Sequence, residues 1–353
     1  MYASIPSNLP IDADVPAIGL LAHMDTAPDV SGANVKPMVH ENYKGGDIIL
    51  PGDSTQIITV KDNPILNDMI GDDIITADGT TLLGSDDKAG CAVIMAMVDI
   101  LLENPQIKHG KISIGFTPDE EVGKAIEKFD IEEFGAKYAF TVDGGPLGYL
   151  SNETYYRRNA EVTFSGKGAH TGYAKGRMVN SIYAFAGYVS KITSEIRPET
   201  SEGRQGFIHL VSGNATVEQS KLQIRLRDFD KIGLDQKENL LKLLAQEIER
   251  EYPGVKISFV IEDTFQNILE VLRNYPELTA NALEAVRRSG LRPELVGARG
   301  GTDGIFLSFH GLPCPDLFTG GYNWHSKQEF NSRRGLEKTT ETLLNLVQVF
   351  AEK

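Results

Sequence analysis

The sequence predicts an α/β protein: a mainly parallel sheet built from both ends of the chain, with an inserted small domain of ferredoxin-like order. Three observations lead there. From 17 to 151, short apolar runs alternate with helical stretches, the rhythm of strand-helix-strand units. From about 152 the order becomes strand, helix, strand, strand, helix, strand, the split βαβ arrangement. After 265 the α/β character returns. The expected division is therefore a catalytic domain of 1–151 and 265–353 around a small domain of 152–264.

Each element has its own warrant. "AIGLLAHM", "KISIGFTP" and "YAFTVDGG" are apolar runs of strand length, and "AGCAVIMAMVDILLENP" is the intervening helix. The interval 29–82 is richer in Gly, Asp and Pro and reads as strands and long connections decorating the sheet edge. In the small domain, "AEVTFSG", "GFIHLVSG", "KLQIRLRDF" and "VKISFVIED" read as strands. The helices between them are "MVNSIYAFAGYVSKITSEI" and "KENLLKLLAQEIEREY". Beyond it, "PELTANALEAVRRSG" is a helix, "PELVGA" and "CPDLFTG" are strands, and "GLEKTTETLLNLVQVFAEK" closes the chain as an amphipathic helix. Upstream of "AIGLLAHMD" almost nothing is expected to cover the first core strand.

A chain of 353 residues, 41% of them hydrophobic, can bury a large core. Its 35 basic and 49 acidic residues leave −14, which argues against nucleic acid and against anionic membrane surfaces. No apolar run is long enough to span a bilayer and no secretory signal opens the chain. Cys91 and Cys314 have neither zinc-finger nor disulfide spacing, so a reducing, cytoplasmic setting is expected.

The acids and histidines carry the chemistry. "AHMDTAPD" sets His23 and Asp25 two apart at a strand end, hence on one face. A metal-bound imidazole often has a carboxylate on its other nitrogen, so this pair could be a ligand with its orienting group. "LLGSDDKAG" places Asp86 and Asp87 before a helix, where one Asp would serve as a cap; two acids and a lysine exceed that need. "TPDEEVG" and "YAFTVDGG" end strands with Glu120, Glu121 and Asp143. Glu120 and Glu121, neighbours on extended backbone, are expected to point in opposite directions. His325 lies in the Gly-rich "GGYNWHSKQEF". Each site alone reads as a solvated loop acid or a packed histidine. Together they fall at the carboxyl ends of strands, the edge where open parallel sheets bind ligands. Two histidines and several carboxylates without thiolates suit a hydrolytic site for zinc or a similar divalent ion.

In order and spacing, "AHMDTAPD", "TLLGSDDKAG", "FTPDEEVG", "TVDGG", "GAHTGYAKG", "ARGGTDG" and "LPCPDLFTGGYNWHSKQEF" resemble the peptidase T family. These are tripeptide aminopeptidases within the dizinc aminopeptidase, carboxypeptidase and deacylase superfamily. The resemblance implies a dizinc catalytic domain and two Zn2+ per subunit, with Co2+ or Mn2+ as alternatives. His23, Asp86 and Asp143 would bind one ion, and Asp86, Glu121 and His325 the other. Asp86 is preferred to Asp87 because the family pattern reads Asp-x-Lys. Asp25 would orient His23, and Glu120 would be the general base. Physics supports that division: a coordinated carboxylate is a poor proton acceptor, so the base must be a separate group. His170 would reach the partner subunit's active site and help stabilise the tetrahedral intermediate, Arg299 would clamp the peptide's terminal carboxylate, and Asn214 would add a contact. A short peptide substrate and a homodimer through the small domain follow. The chain departs from the family pattern at Thr171, commonly Pro, and in lacking an N-terminal helical segment of several dozen residues, whose loss would bare apolar surface. His40, His109, His209 and His310 match no motif and read as structural. The alternatives are another hydrolase of the superfamily, an aminoacylase, carboxypeptidase or dipeptidase, and, from a different class, an inactive metal-binding dimeric scaffold.

Overall fold

The computed structural model describes residues 1–352. Two compact units divide the described residues: 1–152, 268–296 and 301–352 form the first, and 153–267 with 297–300 the second.

The first unit is built on a seven-stranded sheet, in the order Tyr2–Ile5, Ile112–Thr117, Ile18–His23, Tyr138–Gly144, Asp316–Phe318, Tyr149–Thr154 and Glu294–Ala298. Ile112–Thr117, Ile18–His23, Tyr138–Gly144 and Asp316–Phe318 run parallel, so their carboxyl ends open on one edge. All six residues of Ile18–His23 are buried, as a strand covered on both faces requires. The helix Ser85–Glu103 lays Val93, Ile94, Met97 and Leu101 against Leu20 and Ala22, and the terminal helix Arg333–Ala351 adds Leu343, Leu346, Val347 and Phe350 to the same core. Truncating a side chain as enclosed as Phe140 would cost about 3–5 kcal/mol.

Ahead of Ile18–His23, the segment Tyr2–Ile5 adds an antiparallel edge strand to Ile112–Thr117 and does not pair with Ile18–His23 itself. One expectation changes. Residues 29–82 do not extend the sheet edge. Met38–His40 and Ile74–Thr76 join Phe330–Ser332 in a separate three-stranded sheet, and Ile48–Ile49 pairs with Ile57–Ile58. Tyr43, Leu50, Ile58, Leu66 and Phe330 give this region its own core. Between the helices Ser85–Glu103 and Arg333–Ala351 runs an apolar groove lined by Ala92, Ala96, Ile100, Leu336 and Leu344.

The second unit has four antiparallel strands in the order Phe207–Ala215, Gln219–Asp228, Tyr156–Ser165, Lys256–Phe265, with helices Ser181–Lys191 and Lys231–Glu251 on one face. This is the ferredoxin-like order. In Gln219–Asp228 the side chains Ser220, Leu222, Ile224, Leu226 and Asp228 turn inward, the period of two of a one-sided sheet. The first helix stops at Lys191, shorter than the pattern predicts, and two tight turns follow at Ser194–Ile196 and Pro198–Thr200. Among the described residues no helix is long and apolar enough to cross a membrane.

Candidate metal centre

The site lies at the carboxyl ends of the parallel strands and is assembled wholly by the first unit. His23, the last residue of Ile18–His23, is buried. Its Nε2 lies 3.0 Å from Asp86 Oδ1 and 3.6 Å from Asp143 Oδ1. Its Nδ1 lies 3.2 Å from the Asp25 carbonyl and 3.4 Å from Asp25 Oδ1. Asp25 therefore faces the nitrogen turned away from the other carboxylates. His325 approaches from the opposite side, with Nε2 3.2 Å from both Asp86 Oδ2 and Glu121 Oε2. Asp29 Oδ2 lies 3.4 Å from its Nδ1. His325 adopts a φ of 58°, unusual for a residue with a Cβ, in the turn that aims the ring at the acids.

Asp86 is common to both groupings. His23, Asp86 and Asp143 offer ligand atoms all within 4.8 Å of one another, and so do Asp86, Glu121 and His325. Asp87 points elsewhere: it is fully buried and accepts hydrogen bonds from His23 N at 3.1 Å and Gly90 N at 3.0 Å. Gly90 permits the close approach of this helix to Tyr138–Gly144, since a Cβ there would sit 2.1 Å from the Val142 carbonyl oxygen.

The glutamates are not on extended backbone. The strand ends at Thr117, and Asp119, with φ 61°, turns the chain. The two carboxylates still have different surroundings. Glu121 faces His325 and leaves Oε1 buried without a hydrogen-bond partner. Glu120 joins His23, Thr141, Asp143 and Asp303 around a small cavity.

The electrostatics describe too many acids for too few cations. Burial first, and then the Asp143 carboxylate, push Glu120 up to about 9. Burial, with Asp86 nearby and against the hydrogen bond to His23, holds Asp143 well above the carboxylate range. Burial alone would lower His23, yet Asp143 and Asp86 hold it far above the usual imidazole value. Hydrogen bonds to Asp86 and then Glu121 raise His325 to about 10. Buried like charges of this kind are ordinarily neutralised by protons or cations. A cluster of two imidazoles and several carboxylates, one with a buried unpartnered oxygen, fits a pair of divalent ions.

Four residues absent from the expected set complete the surroundings. Asp303 accepts from Thr117 Oγ1 at 2.8 Å, and Asp316 accepts from Thr141 Oγ1 at 2.8 Å and from Asp143 N at 3.3 Å. Burial raises these two acids to about 6 and about 7. Asp29 and Glu329 are the others. Asp29 stands inside "AHMDTAPD", and Glu329 inside "HSKQEF"; neither is distinguishable there from a solvated acid.

The remaining expected residues lie in the second unit. His170 is exposed and caps the short turn Thr171–Tyr173, its Nδ1 accepting from Gly172 N at 3.1 Å. Asn214 is exposed on Phe207–Ala215. Residues 297–300, placed by the sequence with the large domain, fold with this unit. Arg299 donates to Ser201 Oγ at 2.8 Å and to the Gly203 carbonyl at 3.1 Å. His40, His109 and His310 hydrogen-bond to Thr76, Gly110 and Phe306.

Comparison with known proteins gives the chain its relatives. A family described as a peptidase dimerisation domain matches residues 153–256. Peptidase T of Vibrio parahaemolyticus is 44% identical over 353 residues, 100% of this chain and 86% of that protein. Peptidase T of a Geobacillus species is 42% identical with the same coverage. Among solved structures, aminopeptidase PepT from Bacillus cereus superposes with a TM-score of 0.75 at 22% identity, over 99% of this chain and 84% of that one. A Staphylococcus aureus tripeptidase gives 0.76 at 22%, over 100% and 84%. The two structures speak to the fold.

Proposed function

Because the chain belongs to the peptidase T family, we propose that it is a metal-dependent aminopeptidase releasing the N-terminal residue of tripeptides. The observation that carries the chemistry is the sharing of Asp86 between two ligand groups. His23, Asp86 and Asp143 would hold one ion, and Asp86, Glu121 and His325 the other. Zinc suits these donors best, and cobalt or manganese would also be accepted. Two such ions, when bound, would supply Lewis acidity toward the scissile carbonyl and would make the attacking water more acidic.

The chain's own groups do the rest. Glu120 takes a proton from the attacking water and returns it to the leaving amine. Burial and then the Asp143 carboxylate raise its pKa, and neutralising the neighbouring carboxylates removes the second of these causes. Asp25 holds the His23 ring in place. His170 stabilises the oxyanion of the tetrahedral intermediate, Arg299 receives the peptide's terminal carboxylate, and Asn214 adds a polar contact. The dimerisation-domain match over 153–256 supports a homodimer formed through the second unit, and two unpaired cysteines suit the cytoplasm.

The test is a chelator-stripped enzyme restored with zinc and assayed on a tripeptide, a dipeptide and an N-acyl amino acid. Zinc-dependent release of the first residue from the tripeptide is expected. Preference for the N-acyl amino acid, or turnover insensitive to chelation, would contradict the reading.

A further inference from the structure

Glu329 has the environment of an anchor. It is 1% exposed, and its Oε2 accepts hydrogen bonds from Leu83 N at 2.9 Å and Gly84 N at 2.7 Å. Its Oε1 accepts from Asp86 N at 3.0 Å. These three backbone N–H groups converge because Gly84 turns the chain with φ 78°, making a concave donor set of the kind that receives an anion. We propose that Glu329 is a positioning residue that fixes Asp86 relative to His325, tying the loop that carries the imidazole to the backbone that carries the shared carboxylate. The inference rests on the reading of Asp86 as a ligand to both ions.

The connection from His325 to Glu329 is short and is tied by three hydrogen bonds centred on Ser326. Ser326 Oγ donates to the Asn323 carbonyl at 2.7 Å, Gln328 N donates to Ser326 Oγ at 3.1 Å, and Glu329 N donates to the Ser326 carbonyl at 3.3 Å. Movement of one loop is thereby passed to the other. The chemistry of the anchor is specific. An ionised carboxylate is acceptor-only on both oxygens, whereas an amide would set a donor against one of the three N–H groups. A plain fold-stabilising tie is available for comparison: Asn331 Nδ2 donates to Ser85 Oγ at 2.9 Å and to the Thr319 carbonyl at 3.3 Å, without touching Asp86.

The experiment is calorimetric titration of the metal-free 353-residue chain with zinc, alongside thermal melting, for wild type, Glu329→Gln and Asn331→Ala. Loss of a group that orients a ligand typically costs about 10- to 100-fold in metal affinity, and that loss is expected for Glu329→Gln. Asn331→Ala should lower the melting temperature while leaving zinc affinity unchanged. Should Glu329→Gln not fold, Glu329→Asp keeps the charge but shortens the reach, and weakened zinc binding is expected there too. Equal affinity in wild type and the folded Glu329 variant, or equal loss in the Glu329 and Asn331 variants, would overturn the inference and leave the metal reading standing. Wild type that binds no zinc would overturn both.

Discussion

The backbone N–H of Glu121 donates to Asp25 Oδ2 at 3.1 Å. Glu120 N donates to the other oxygen of the same carboxylate at 3.2 Å. The residue set against His23 thus also holds the turn carrying both glutamates, and His23, Glu120 and Glu121 are positioned from one point. Asp25→Asn keeps the shape but puts an amide NH2 against a backbone donor. Zinc affinity should fall about 10- to 100-fold, and kcat should fall at saturating zinc because Glu120 is no longer held. Calorimetry and steady-state kinetics on the same preparation check both effects.

Glu120→Gln separates base from ligand. The proposal assigns Glu120 no metal contact, so zinc stoichiometry should be unchanged while kcat drops by about 10²- to 10⁴-fold. Metal analysis together with turnover measures this, and a variant that retains the wild-type rate would remove Glu120 from the mechanism.

Arg299 carries the claim about the substrate's far end. Wild type should favour a free tripeptide over its C-terminal amide, and Arg299→Ala should lose much of that preference, mainly through KM. If both proteins discriminate equally, the terminal carboxylate is bound elsewhere.

The response to pH has a defined sign. His325 rises from 6.5 to about 10 through Asp86 and Glu121, so protonation there stabilises the metal-free fold below about pH 6.5 and this contribution is lost as pH climbs toward 10. His23 is displaced the same way. A divalent ion must displace these protons, so binding should release them and tighten as pH rises toward about 10, as His325 loses its proton. Titrations in buffers of different ionisation enthalpy read the proton release directly.

The central strands were legible because residues buried on both faces leave continuous apolar runs, as in Ile18–His23. The second unit was legible for the opposite reason: one-sided strands alternate, as in Gln219–Asp228. Tyr2–Ile5 was missed because four residues with two exposed side chains carry no period. The small sheets of residues 38–76 have strands of two or three residues, too short for any pattern. The turn at Glu120 was hidden because its left-handed residue is Asp119 rather than glycine. Glu329 was invisible for a tertiary reason: its partners, Leu83, Gly84 and Asp86, lie more than 200 positions away.

The shared carboxylate is the core of the account, and anomalous X-ray scattering at the zinc edge from a zinc-loaded crystal tests it most directly. Two peaks should flank Asp86, one beside His23 and Asp143 and the other beside Glu121 and His325. A single peak, or peaks that do not share Asp86, would contradict the proposed metal centre.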